Sequence, residues 1–516
     1  SQEYKILDGS NQAEAYRAMD NAIIRDGNKY LYTDKDDPFA LPVSVLPNGG
    51  FLRRTDNRMV DWNFRLTANY NHIFNKVHML NLFGGMETTD IQRNRTWFNG
   101  VGMQYSKGEI PFYVYPFFKK AVEENTDYYS LSNTNSRSAA FFANFTYGFA
   151  NKYILTGTYR YEGSNAMGKS RSARWTPTWN IAASWNVDQE KFFKALEPTL
   201  SHLKLKASYS LTATPPPTGY TSSGNVFRAF QPYRVFSQDK ETGIQLTDLA
   251  NDDLTYEKKN EFNFGIEAGF LNDRINVAFD VYTRKNFDEI GPVATQGIGG
   301  QVIRWANAAD MKSNGEELSI STTNIKTKDF SWNTSLVYSH TKTKITSLAS
   351  QDRAIDLLTN YGGRREGYPV RALFSVPFMG LNEDGMPTFL NEAGEVTVYD
   401  INLQERENLD YLKYEGPTDP TVQGSFGNIF KYKGFTFNVF ITYSFGNVVR
   451  LDPVFRGSYS DLSSMTKEFK NRWMAPGDEN ITNIPVILSY GQLQADRELS
   501  RAYNVYNYSD VRIAKG

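Results

Sequence analysis

Seven residues carry side chains suited to holding a sugar or a peptide: Trp97, Tyr113, Tyr115, Trp305, Tyr361, Arg364 and Arg365. Their rings offer stacking faces, and the guanidinium groups offer forked donors for carboxylates and carbonyls. All seven fall in stretches that read as long connections, where binding residues concentrate; the same side chains would equally serve to pack such connections against one another. Other chemistry-bearing patterns dissolve on inspection. The run Gly163 to Ser170 matches the phosphate-binding P-loop, Gly163 and Gly168-Lys169-Ser170 in place. That loop needs a helix straight after it to aim amides at phosphate, whereas Arg171 to Pro177 leads into an alternating strand, so a surface loop is expected. Gly297-Ile298-Gly299-Gly300 lacks a dinucleotide fingerprint around it and reads as a flexible loop. Asp34-Lys35-Asp36-Asp37 lacks the fixed ligand pattern of a calcium loop and reads as solvated charge. The four histidines, His72, His78, His202 and His340, stand at no metal-ligand spacing. The absence of cysteine removes disulfides and thiol chemistry. No metal, no cofactor and no enzymatic activity is expected.

What must position the seven residues is a repeated unit of two alternating segments joined by a very short turn. In its clearest copy Phe435, Phe437, Val439, Ile441 and Tyr443 share one parity, with Thr436, Asn438, Thr442 and Ser444 on the other. That is a strand with one apolar and one polar face. About ten residues is also the length of a tilted strand crossing a bilayer. Further copies run through Trp62 to Leu82 and through Phe141 to Tyr161. Trp175 to Leu211 forms another, linked by Gln189 to Leu200, a segment fit for one or two helical turns. Phe262 to Val281 and Leu318 to Tyr338 follow, and Gln423 to Phe445 completes six hairpins, about twelve strands in all. Between hairpins lie long connections, read as Ile91 to Ser136, Thr212 to Lys259, Asn286 to Gly315, Thr343 to Thr421 and Gly446 to Arg501. Short turns on one side and long loops on the other is the arrangement of an outer-membrane barrel. Inside the fourth connection Leu381-Asn382-Glu383-Asp384-Gly385 is echoed by Leu390-Asn391-Glu392-Ala393-Gly394, which predicts a projecting hairpin.

Composition agrees with an all-β, antiparallel transmembrane barrel. The chain has 516 residues, too many for one ordinary soluble core, and 15% are aromatic, with 32 Tyr and 35 Phe, as a girdled lipid-facing wall requires. Mean hydropathy is nevertheless −0.52 and no run of about twenty apolar residues occurs, which excludes helical spans and suits a wet lumen. A formal net charge of −1 gives no electrostatic footing for nucleic acid. The chain opens Ser1-Gln2-Glu3-Tyr4 without an export signal, and Asp510 to Gly516 reads as the start of a further strand, so a fragment is expected.

Several of these segments carry a family resemblance. Tyr153 to Ser164 resembles the strand-and-loop signature of SusC/RagA-type TonB-dependent transporters of Bacteroidetes outer membranes, with Glu162 standing where that family usually has Asp. The likeness continues through Trp179 to Trp185, Leu203 to Tyr209, Asn314 to Leu318 and Asp329 to Trp332, and is strongest at Leu254 to Gly265 with Asn272 to Ile275. The resemblance implies a 22-stranded barrel, of which residues 1–516 would supply part, the plug, the TonB box and the final strand having no match here. It also implies location in the cell outer membrane, amid its lipid, and import of oligosaccharides or oligopeptides energised through the TonB complex. A SusD/RagB-like lipoprotein lid is the implied partner, in pairs that can associate as dimers. Two other readings stay open: a passive porin, and a secreted β-rich glycan-binding or hydrolytic protein.

Overall fold

The computed structural model describes the chain except residues 18–30, 33–36, 38, 42, 45, 116, 120–127, 198, 216–225, 231–242, 296, 298–302, 455–465, 490 and 493–496. Twelve long strands dominate it: β1 Gly50–Phe74, β2 His78–Gln104, β3 Tyr129–Phe149, β4 Tyr153–Ser164, β5 Trp175–Asn186 and β6 Leu200–Thr214, then β7 Glu257–Phe270, β8 Ile275–Ala294, β9 Ile303–Lys326, β10 Phe330–Leu348, β11 Val422–Tyr432 and β12 Phe435–Phe445. Each pairs antiparallel with its neighbours in chain order, and a short strand Gln2–Ile6 lies outside β1. These are the twelve strands that the alternation predicts. No described helix is long and apolar enough to cross a membrane; the crossing elements are strands.

Register carries the alternation from strand to strand as one continuous apolar band. Tyr70 stands opposite Leu82, Leu82 opposite Phe145, Phe145 opposite Gly157, Gly157 opposite Ile181, Ile181 opposite Tyr209 and Tyr209 opposite Phe262. Farther along, Ile266, Phe279, Leu318 and Tyr338 are paired in succession, as are Leu336, Phe426 and Ile441. A one-residue slip anywhere would send a strand's whole apolar set to the wet face, so the pattern itself pins the register. Five glycines sit directly opposite aromatic residues: Gly157 and Phe145, Gly163 and Trp175, Gly315 and Tyr282, Gly424 and Tyr443, Gly427 and Phe440. In each pair an added Cβ would collide with the ring, so the ring covers bare backbone, a device that steadies glycine within a sheet.

Connections after odd-numbered strands gather at one end, and most are very short: 75–77, 150–152, 271–274, 327–329 and 433–434. Asn75, Lys76, Ala150, Asn151, Leu271, Asn272, Asp273 and Lys433 all have positive φ there. Such left-handed turns match the twist of the strands they join. The exception, after β5, carries 3₁₀ turns Val187–Gln189 and Lys191–Leu196, in keeping with the helical turns expected between Gln189 and Leu200.

The opposite end departs from the sequence reading. Several strands run far past ten residues, β2 to 27 and β1 to 25, because their polar outer halves continue the ladder beyond the bilayer. The connection read as 91–136 shrinks to 105–128, and the one read as 286–315 shrinks to 295–302. Trp97 and Trp305 therefore stand on strands rather than in loops.

The two largest connections, 349–421 and the segment after β12, fold together into a cap with its own core. Leu357, Leu358, Phe374, Phe389, Leu412 and Tyr506 are among its buried members. Strand Ala372–Ser375 pairs with Lys413–Pro417, and Val448–Arg450 pairs with Ile513–Lys515. The strand expected near the end is present at Ile513–Lys515, where its partner is the cap strand. The duplicated Leu-Asn-Glu motif builds two equivalent turns: Asn382 Oδ1 accepts from the amides of Asp384 and Met386, and Asn391 Oδ1 from those of Ala393 and Glu395. They link three short strands, Phe378–Leu381, Pro387–Leu390 and Val396–Thr397. Phe389 is fully buried, so this meander is a wall of the cap and not a projecting hairpin.

Candidate functional site

Opposite the apolar band lies a polar inner face on which charges from different strands meet. Arg160 on β4 reaches Glu87 of β2 at 2.7 Å and Glu162 at 2.6 Å, and Arg65 of β1 lies 3.7 Å from Glu87. Lys206 on β6 sits between Glu267 of β7, at 3.0 Å, and Asp280 of β8, at 3.2 Å. Glu261 on β7 is shared by Lys259 at 3.0 Å and Arg284 of β8 at 2.7 Å. The Arg284 guanidinium lies 3.8 Å over the Tyr282 ring, and the Tyr282 hydroxyl bonds Thr341 of β10 at 2.7 Å. Every one of these residues has the parity opposite to the apolar side chains of its strand, which is why they share one face. Half-exposed pairs of this kind add little stability each. Their consequence is a hydrated wall studded with paired donors and acceptors.

The seven sequence-predicted residues are not drawn into one pocket. Tyr113 and Tyr115, 73% and 71% exposed, belong to the connection between β2 and β3. Tyr361, 74% exposed, stands on the cap. Arg364 is committed to Asp352, donating from Nη2 at 2.8 Å and from its backbone amide at 2.7 Å. Arg365 bonds Asp410 at 2.5 Å and the Leu409 carbonyl at 3.2 Å, and faces the Tyr368 and Phe374 rings. Both arginines thus tie the cap together. Trp97 lies half-buried between Thr55 and Ser130, and Trp305 lies opposite Pro292 with its carbonyl accepting from Asn251 at 2.9 Å. Of the seven, Tyr113, Tyr115 and Tyr361 keep the most exposed rings, that of Tyr113 lying 6.5 Å from the Phe118 ring. Arg160, Lys206, Arg284 and their acidic partners, by contrast, escape motif reading; their only sequence signal is charge on the polar parity of an otherwise apolar-alternating strand.

The cap is braced by two buried guanidinium groups. Arg450 donates to the carbonyls of Phe374 at 2.6 Å, Ser509 at 3.2 Å and Asn507 at 3.3 Å, and burial pulls its pKa down to about 10. Arg512 donates to the Asp452 carbonyl at 2.6 Å and to Glu468 at 2.5 Å. The cap is anchored to the wall where the Ile345 amide of β10 donates to Tyr368 and the Gly367 amide donates back to Ile345, each at 2.9 Å.

The P-loop match has no vacant cradle. The Gly168 amide donates to Leu254, Met167 to Ser164 and Asn165 to Arg137, so those donors are already taken. A single helical turn, Arg171–Arg174, does follow, capped by Ser170, but it yields to β5 at Trp175. His78 contacts the Tyr147 hydroxyl, His202 contacts Asp273 and His340 contacts the Thr421 carbonyl, all structural roles. Among the described residues no group of three or more potential ligands could hold a metal. Ile298 to Gly300 and Asp34 to Asp36 lie outside the described residues.

A meander of twelve paired strands, short turns at one end, a folded cap at the other and a charged inner wall is a transport-barrel plan, and comparison fixes which. Residues 8–452 match the model of the TonB dependent receptor-like β-barrel. The chain belongs to that family. It is an outer-membrane protein of a receptor and transporter family, not of an enzyme family. It is 27% identical over 358 residues to TonB-dependent receptor P3 of Formosa agariphila, covering 67% of this chain and 35% of that one. It is 26% identical over 341 residues to TonB-dependent receptor SusC of Bacteroides thetaiotaomicron, covering 62% and 32%. In fold it is similar to the RagAB peptide transporter, with a TM-score of 0.69 at 20% identity, over 85% of this chain and 47% of that one. The chain thus spans about a third to about a half of the length of these relatives.

Proposed function

We propose that this chain forms part of the wall and the outer cap of a SusC/RagA-type importer that takes up oligosaccharides or oligopeptides with energy delivered through TonB. The observation that carries the reading is the inner face: cross-strand charge networks on β1 to β10 line a wet passage, while the same strands turn an unbroken apolar band outward. Binding and gated passage, rather than bond chemistry, is what such a wall supports. The cap and the exposed Tyr113, Tyr115 and Tyr361 are the surfaces on which a SusD/RagB-like lipoprotein would close over cargo, and the resemblance to SusC and to the RagAB transporter supports that partner. A pair of such transporter–lipoprotein units fits the same reading. Plug movement under TonB would open the passage.

The test is uptake by the source bacterium of oligosaccharide and oligopeptide pools with and without TonB. Uptake that stops without TonB, and stops again when this locus is deleted, supports the proposal. Uptake that continues unchanged without TonB would establish a passive porin instead.

A further inference from the structure

Where the cap meets the wall, one carboxyl is left without a partner. Regular alternation along β8 turns Ile275, Val277, Phe279 and Val281 outward and would send Glu289 the same way. A bulge intervenes: the β8–β9 register shifts between Asn286 and Glu289, and Asp288 takes a positive φ of 59°. The extra residue swings Glu289 to the inner face, as bulges do when they re-aim a side chain. There it borders a cavity of about 150 Å³, lined also by Met311, Ile345 and Leu348 of the wall and by Arg364 and Val370 of the cap. Cap and wall meet across this cavity, since a Cβ on Gly291 of β8 would lie 3.5 Å from Arg364 Nη1. Glu289 stands fourteen residues beyond Ile275, which is at the short-turn end. At about 3.3 Å per residue and a tilt of about 40°, that is roughly 35 Å above the turns, clear of an apolar band about 25 Å tall.

Its neighbours oppose its charge. Glu257 of β7 accepts at 2.9 Å from the amide of Ile290, the residue after Glu289, and Asp310 of β9 accepts at 3.2 Å from the amide of Asp288, the residue before it. Amide donors favour the ionised form of both these carboxylates. Asp288 is paired with Lys258 at 2.8 Å, and the cap's Arg364 is held by Asp352 at 2.8 Å. The residues that β10 turns to the cavity, Ile345 and Leu348, carry no charge. Among the described residues Glu289 itself makes no hydrogen bond or ion pair. With two neighbouring carboxylates stabilised as anions, the third is the one that keeps a proton. Burial, with the charges of Glu257 and Asp310 adding to it, pushes the Glu289 carboxyl up to about 7.

We propose that docking of the cap onto the wall is linked to a proton on Glu289, the joint closing firmly while this carboxyl is neutral and loosening as it ionises. The link is spatial. Ile345, which lines the cavity, is also the residue that anchors the cap, through its paired backbone bonds with Tyr368 and Gly367. Opening the joint exposes Glu289 to water, where its charge is solvated and the neighbouring carboxylates are screened. A carboxyl whose pKa is raised in the closed form adds stability that is full below its open-form value of about 4.3 and is lost as pH rises through the closed-form value. The cap is therefore held tightest in acid and loosens toward neutrality, with no further change once Glu289 is ionised in both forms. This linkage goes beyond the transport reading and depends neither on cargo nor on TonB.

The experiment is amide hydrogen exchange, read by mass spectrometry, on the transporter purified from its own outer membrane in mild detergent. It runs from about pH 5 to about pH 8, each rate taken relative to its intrinsic value at that pH. When reclosing is fast, protection of the Ile345 and Gly367 amides reports the opening of the joint, and residues 330–338 near the short turns serve as reference. Linkage over this interval allows a change of about a hundredfold at most, and for a half-exposed carboxyl the expected fall in protection is about tenfold. Glu289→Gln and Glu289→Met should both keep the protection of the acid form throughout. Glu257→Gln, which retains an acceptor for the Ile290 amide but not the charge, should shrink the fall. Heat-modifiable migration on gels confirms that each variant is a folded barrel, and the natural protein alone can refute the linkage. A change of less than about threefold in the natural protein, protection that rises with pH, or a fall of the same size in both Glu289 variants would each overturn the proposal, the last by assigning the titration to another group such as His340 on the opposite face of β10.

Discussion

Replacing Arg450 by Met tests whether the cap is a separately stabilised unit. The side chain has the length to fill the space but none of the donors. In the natural protein Nη2 and Nη1 reach three backbone carbonyls, those of Phe374, Ser509 and Asn507, and so join the connection between β10 and β11 to the end of helix Arg497–Asn507. The carbonyls at a helix C-terminus carry partial negative charge, which is why a guanidinium is tolerated there. Hydrogen bonds from a charged group contribute about 2 kcal/mol each, on the order of 6 kcal/mol for three. Against this stands burial: the fall of the guanidinium to about 10 corresponds to a cost of about 3 kcal/mol. The difference, about 3 kcal/mol, is what Arg450→Met should remove from cap stability.

At 1.4 kcal/mol per factor of ten, that loss raises the population of the opened cap roughly a hundredfold. Limited proteolysis reads this directly, because cleavage of a transiently opened unit follows its equilibrium population when reclosing is fast. The rate of cutting within 349–421 and 446–516 should rise about a hundredfold while the wall stays folded and heat-modifiable. Arg450→Lys keeps the charge but not the fork, and should fall between the two. A change of less than about threefold for Arg450→Met would refute the assignment of Arg450 as the brace. Simultaneous unfolding of the wall would refute the independence of the cap.

Two further expectations concern the wall. Arg160→Met leaves Glu87 and Glu162 facing each other across β2 and β4, and should destabilise the barrel by about 1 kcal/mol in urea; Glu87→Gln added to it should restore most of that loss, and a coupling below about 0.3 kcal/mol would show that the network does not act as a unit. Glu190, below the wall, accepts from Lys152 at 2.7 Å and from the Tyr153 hydroxyl at 2.7 Å, and these hydrogen bonds hold its carboxyl below the ordinary carboxylate range. A depressed carboxyl contributes stability above its unfolded pKa of about 4.3 and loses it as pH falls through the lower folded value. Protection of the Lys152 and Asn186 amides, taken relative to their intrinsic exchange rates at each pH, should therefore be flat from neutrality down to about pH 4.5 and fall below it, whereas Glu190→Gln should lose that acid step; an onset above pH 6 would contradict the assignment.

The wall was legible because its physics is local. Alternation at period two, repeated with short turns, locates all twelve strands, and residues such as Asn75-Lys76 and Lys433-Gly434 show where the chain reverses. Strand length was not legible, because the upper halves of β1 and β2, such as Arg53 to Asp61, are polar on both faces once they leave the bilayer and lose the signal that marks a half-buried strand. Trp97, on β2, reads as part of a connection for that reason. The cap was invisible for another. Its core joins Leu357 and Phe374 to Tyr506 across more than 130 residues of chain, contacts that no periodicity announces. The arginines show the same limit, since nothing in Arg364-Arg365 says whether a fork faces cargo or is satisfied by Asp352 and Asp410.

That distinction bears on where selectivity resides. A side chain already paired with its own fold can contact cargo only by giving up that pair, so Arg364 and Arg365 fix the shape of the cap. The exposed rings of Tyr115 and Tyr361, and of Tyr113 beyond its contact with Phe118, make no such ion pair, and stacking on a ring face tolerates both a pyranose and a peptide plane. The inner wall is also largely satisfied internally: Lys206, Arg284 and Arg160 each hold two acidic or aromatic partners. A passage whose charges are already neutralised by neighbours on adjacent strands does not trap a solute of either sign. On the proposed import reading, discrimination would then fall to the rim and to whatever closes over it, and the wall's contribution would be to let go.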